Sequence, residues 1–80
     1  ILNRINYTSK SESIYPNPVE SMLYIENVNT GQNIRIYDIY GKIVFSGFCK
    51  KEINLEYLDA GVYYLQIGNK KEKTRKIIKL

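Results

Sequence analysis

Three carboxylates, Glu52, Glu56 and Asp59, stand close in sequence, and such a group can be imagined as a general acid and base. Its surroundings argue against that chemistry. Glu52 and Glu56 alternate with Ile53 and Leu55, which puts the acids on the solvent face of a half-buried strand. Asp59 falls in the turn-like Leu58-Asp59-Ala60-Gly61. A catalytic carboxylate needs burial or a specific charged neighbour to shift its pKa, and this pattern offers neither. The Asp/Asn density of a calcium loop is missing as well. There is no histidine and a single cysteine, Cys49. A Cys/His zinc site, a disulfide within the chain and a triad with a histidine base are therefore excluded. Cys49 follows Phe48 in an apolar strand and reads as a small buried hydrophobe. No glycine-rich loop opens a helix to cradle phosphate. We assign no catalytic, metal-binding or cofactor-binding residue from the sequence.

Two further features bear on binding. The eight tyrosines, with no tryptophan, could form a stacking face for sugars or bases. By alternation Tyr15 and Tyr63 point inward, whereas Tyr37, Tyr40 and Tyr64 point out from different strands. Cross-strand packing accounts for most of them. The charge is uneven: residues 70–80 hold six Lys/Arg against Glu72, a net +5, whereas residues 1–69 hold six against seven acids, a net −1. A basic patch is the usual footprint of nucleic acid, but no RNA-binding signature with interleaved aromatics accompanies this one. It reads as a solvated strand whose lysines keep an exposed edge from pairing with other chains, and no nucleic-acid partner is expected.

The elements that would hold these residues follow from the pattern. Eighty residues with 44% hydrophobic and 25% charged side chains make one small folded domain with a thin core. No apolar run approaches the roughly 20 residues of a membrane span, so no transmembrane segment is expected. The chain opens without Met and without a signal-peptide pattern, which reads as a piece of a longer protein. Residues 1–13 read as a linker with a weak strand near Ile1–Ile5, and Asn6-Tyr7-Thr8 fits a glycosylation acceptor. The domain is expected over residues 14–80.

Within it, Tyr15-Pro16-Asn17-Pro18 is an edge or entry segment, because proline cannot donate to a sheet ladder. Leu23 and Ile25 alternate with Tyr24 and Glu26 as a half-buried strand. Strands on either side of Tyr40-Gly41-Lys42 form a hairpin in which Gly41 supplies a positive φ. Gly47, inside the second of them, predicts a bulge or a close contact. Tyr63, Leu65 and Ile67 form the clearest inward set. In the last strand Ile78 and Leu80 are expected to dock on the core, with Lys73, Arg75 and Lys79 presented to solvent on the opposite face beside Ile77.

About seven short strands at this spacing, with little helix, predict an all-β, immunoglobulin-like sandwich of antiparallel strands. Asp59-Ala60-Gly61-Val62-Tyr63-Tyr64-Leu65 resembles the corner leading into strand F of such domains, where a tyrosine hydroxyl anchors the backbone. Leu65 stands where an immunoglobulin domain has its second cysteine, so the core is expected to be apolar.

The motifs gain weight as an ordered set. Tyr15-Pro16-Asn17-Pro18, Leu23-Tyr24-Ile25, Ile36-Tyr37-Asp38-Ile39-Tyr40-Gly41-Lys42-Ile43-Val44, Ile53-Asn54-Leu55, Leu58 to Leu65 and Lys76-Ile77-Ile78-Lys79-Leu80 closely resemble the type A C-terminal sorting domain of the type IX (Por) secretion system. The resemblance covers Ile14 to Leu80. It implies a non-enzymatic signal that folds in the periplasm and addresses an N-terminally fused cargo to an outer-membrane translocon, for the cell surface or the medium. A shuttle protein would recognise it and a sortase-like peptidase would remove it, cutting within or before Ile1–Ser13. The resemblance places Gly61 and Tyr63 in the family's corner and Asp38, Gly41 and Lys42 in its central hairpin. Lys76 to Lys79 fall in its basic terminal strand. Tyr15, Pro16, Asn17 and Pro18 are then expected to shape the fold with these. Lys73, Arg75, Lys76, Ile77, Ile78, Lys79 and Leu80 are the expected recognition motif. The rival readings are a carbohydrate-binding or adhesive module on the same sandwich and, on the basic end alone, a nucleic-acid-binding domain.

Overall fold

A computed structural model describes residues 13–27, 31–48, 50–68 and 74–80. Over these it is all-β, with no helix and with seven strands: β1 (Ser13–Tyr15), β2 (Met22–Glu26), β3 (Asn33–Tyr37), β4 (Ile43–Phe48), β5 (Glu52–Asn54), β6 (Gly61–Ile67) and β7 (Thr74–Lys79). β1 therefore takes in Ser13, one residue of the expected linker. The weak strand near Ile1–Ile5, the acceptor Asn6-Tyr7-Thr8, the burial of Cys49 and the exposure of Lys73 lie outside the described residues.

The strands form two sheets, ordered β1-β2-β5 and β4-β3-β6-β7, and every strand pair is antiparallel. A constant-type immunoglobulin domain keeps its fourth strand in the first sheet; here β4 lies beside β3 in the second. Between the sheets sits one core, made by Val19, Leu23, Ile25, Ile34, Ile36, Ile53, Leu55, Leu58, Tyr63, Leu65, Ile67 and Ile77. Alternation explains it: Leu23 and Ile25 from one sheet meet Ile34, Ile36, Leu65 and Ile67 from the other, and all six are essentially inaccessible. The inward set Tyr63, Leu65 and Ile67 is buried as expected.

The hairpin turns where expected, through a named side chain. Asp38 Oδ1 accepts from the backbone N–H of Tyr40 at 2.8 Å and of Lys42 at 2.9 Å, the local bonding that suits Asp to tight turns. Gly41 adopts φ +82°, a left-handed conformation that a Cβ disfavours. The bulge is not at Gly47, which pairs in register with Ile34. The register shifts opposite Ile36 and Tyr37, leaving Val44 as the extra residue. The Phe45 ring lies 3.5 Å from where a Gly47 Cβ would stand, an ordinary contact, so the expected close approach is not found there either.

Candidate functional site

The corner before β6 is built by one hydroxyl. Tyr63 Oη donates to the Asp59 carbonyl at 2.7 Å, tying the chain back as it enters the strand, and Gly61 turns with φ +154°. Burial raises the Tyr63 phenol pKa above its ordinary 10.0, and the carboxylates of Asp59 and Asp38 add to the shift. Leu65, two residues on, is fully buried. The expected tyrosine corner and its apolar replacement for a disulfide are both present.

The terminal strand has the expected alternation in the opposite sense. Ile77 is fully buried and Lys79 is only 7% exposed, whereas Ile78 and Leu80 are 38% and 60% exposed. Ile78 and Leu80 therefore do not dock on the core, and Ile77 does. Pairing with β6 decides this: Tyr63 faces Ile77 and Val62 faces Ile78, so the inward phase of β6 is imposed on β7. Lys79 points the same way as Ile77 near the strand's end. Its aliphatic stem is covered while Nζ donates to the Leu80 carbonyl at 2.8 Å. Arg75 is half-buried on that side and engaged. Of the expected cationic recognition residues among those described, Lys76 is the one that is exposed.

The outer edge of β7 is where two distant motifs meet. Asn17 Nδ2 donates to the Lys76 carbonyl and Asn17 Oδ1 accepts from the Ile78 N–H, each at 2.9 Å. Two residues later Val19 takes over with its own backbone: its N–H donates to the Ile78 carbonyl and its carbonyl accepts from the Leu80 N–H, both at 2.8 Å. Val19 and Lys79 form a parallel bridge, and the Val19 side chain is completely buried. The Asn17 amide thus acts as a short surrogate strand, and the edge is closed by that side chain and by the Val19 main chain. The expectation of an edge-forming proline segment holds. Its partner, about sixty residues away, had no signature in the sequence.

Tyr15 departs from its expected inward position. It is 43% exposed, stacks on Tyr24 with ring centroids 5.7 Å apart and donates its hydroxyl to Glu26 Oε2 at 2.8 Å. Its neighbour Ile14 packs on the core instead. Tyr57, which the sequence did not single out, sends its hydroxyl to the Val44 carbonyl at 3.0 Å and thereby pins the bulge of β4. Tyr40 and Tyr64 are exposed as expected. Tyr37 is half-buried, and although it lies on a different strand from Tyr64, the two are direct cross-strand neighbours.

Glu52, Glu56 and Asp59 are all exposed, and among the described residues no three His, Cys, Asp or Glu side chains gather as metal ligands would. Among the same residues no helix is long and apolar enough to cross a membrane. Compared with known families, residues 13–80 match the one described as secretion system C-terminal sorting domain. Compared with curated proteins, the chain matches none.

Proposed function

The chain belongs to the type IX secretion system's C-terminal sorting domain family, and from that membership we propose that it addresses a cargo protein joined ahead of it to the outer-membrane translocon. Membership makes the protein that carries this domain a secreted or cell-surface one. In our reading the signal is a shape. The sandwich folds in the periplasm, a shuttle protein binds it, and a sortase-like peptidase cuts it off ahead of the first strand. The residues that carry the address are the outward ones of the terminal strand, Lys76, Ile78 and Leu80, rather than Lys79 and Ile77, which hold the strand to the core. Lys73, Arg75 and the other terminal lysines add positive charge at the same end.

The observation that carries this reading is the family match over residues 13–80, joined to a terminal strand latched on both edges. The test is a fluorescent reporter fused ahead of the whole chain in a cell that has the machinery. Export of the fusion and periplasmic retention on deleting Lys76–Leu80 are expected. Normal export of the deletion would overturn the assignment of the address to this strand.

A further inference from the structure

The four strands Asn33–Tyr37, Ile43–Phe48, Gly61–Ile67 and Thr74–Lys79 contain no Asp or Glu. The outward side of their sheet is apolar at one end. A row crosses all four strands there, Ile43 beside Tyr37 beside Tyr64 beside Lys76, and Val62 paired with Ile78 forms the next row. Ile43, Tyr64 and Ile78 are 49%, 39% and 38% exposed. Arg35, outward between buried Ile34 and Ile36, supplies a second cation on the other side of the row. A half-solvated antiparallel sheet ordinarily carries polar side chains outward, and a contiguous apolar group rimmed by charge marks an interaction surface.

We propose that this face is a docking surface for an acidic protein surface that carries an apolar strip. The proposal rests on the sorting reading above and names the partner chemistry for it. Charge complementarity fixes the sign of the partner: the outward charges are cations, with no carboxylate on the sheet's own strands to neutralise them. The side-chain types fix its kind. Tyrosine and arginine suit the desolvated centre of a protein interface, and this face itself presents two cations, Arg35 and Lys76, fewer than the four to eight that a lipid-binding surface gathers. A second copy in the same orientation would set cations against cations.

The test uses the reporter–domain fusion in cells with the secretion machinery, with export read as the ratio of medium and surface to periplasm. Arg35→Glu with Lys76→Glu should lower that ratio by tenfold or more, and so should Tyr64→Ser with Ile78→Ser. Arg35→Lys with Lys76→Arg and Tyr64→Phe should leave it near wild type, as should Glu52→Gln on the opposite sheet. Thermal melts of the purified domains separate a lost surface from a lost fold, and the Glu pair is expected to melt like the wild type. Equal export of the Glu pair and of the wild type overturns this proposal and leaves the sorting reading standing. Failure of the wild-type fusion to leave the cell overturns both. Two further results would replace the proposed partner. One is co-sedimentation with vesicles of phosphatidylglycerol and phosphatidylethanolamine that the Glu pair abolishes. The other is concentration-dependent self-assembly abolished by Glu52→Lys.

Discussion

The two sheets share one core and differ in how their outward sides are finished. The outward charges of the three-stranded sheet are Glu26 and Glu52; those of the four-stranded sheet are Arg35 and Lys76, and its strands carry no acid. On the smaller sheet the exposed groups satisfy one another, with Tyr15 stacked on Tyr24 and bonded to Glu26. The larger sheet sets Tyr37 and Tyr64 side by side and ends in the exposed Ile78. Its β7 edge, by contrast, is closed by Asn17 and Val19. An edge is a hazard because it pairs with any strand, whereas a face selects by shape and charge. Closing the β7 edge while leaving the face open favours selective contact over strand pairing at that end of the sheet.

The largest effect should come from the core on which both faces depend. Leu65→Ala removes a fully buried side chain and is expected to cost about 2–5 kcal/mol, a large share of the stability of a domain this thin. Denaturant unfolding followed by tyrosine fluorescence should show both sheets melting together at a lower midpoint. Loss of one sheet while the other persists would mean that the comparison joins two independent units.

Next comes the latch. Asn17→Ala deletes both side-chain bonds to β7. At about 0.5–1.5 kcal/mol per bond, with water replacing part of each, the expected cost is about 1–2 kcal/mol. Hydrogen exchange of the Ile78 amide should accelerate more than that of Leu65, which lies deep in the sheet. Uniform acceleration would show that Asn17 contributes to global stability without specifically closing the edge.

A smaller contrast separates two lysines that look alike in the sequence. Lys76→Gln changes an exposed side chain and should move stability by no more than about 0.5 kcal/mol. Lys79→Gln loses a covered stem and the bond to Leu80 and should cost about 1 kcal/mol. Thermal melts of the two variants decide it, and equal effects would return Lys79 to the solvent side.

That pair also shows where the sequence stops being legible. Where a polar residue separates apolar ones, as in Leu65-Gln66-Ile67, the inward face is declared, and Leu65 and Ile67 are where the pattern puts them. In Ile77-Ile78 and in Ile14-Tyr15 two apolar residues adjoin, so period two gives no phase. Both cases resolve opposite to the expectation, through pairing with β6 and through Tyr24 and Glu26 respectively. The run Ile43-Val44-Phe45 hides its bulge for the same reason. Asn17 was visible as part of a proline motif, but a side-chain bond to a strand some sixty residues away leaves no local trace. The basic end was legible as charge, whereas the apolar row beside it arises only when four strands align.

The smallest expected effect concerns the face that is closed on itself. The Tyr15 phenol is held above its ordinary pKa of 10.0, chiefly because its proton bridges to Glu26, with burial and then the Glu26 charge adding to it. The folded chain thus holds this proton more tightly than the unfolded one. The resulting stability is fully present below pH 10 and is lost as pH climbs through the raised value. Tyr63 behaves in the same sense but for a different first reason, its burial. Glu26→Gln should therefore lower the Tyr15 midpoint in an NMR titration that resolves each tyrosine ring and leave that of Tyr63 in place. Tyr15→Phe should delete the Tyr15 transition and keep that of Tyr63. If Glu26→Gln moves neither midpoint, the bond between Tyr15 and Glu26 is not formed in solution. The outward side of the smaller sheet would then be as open to a partner as that of the larger one.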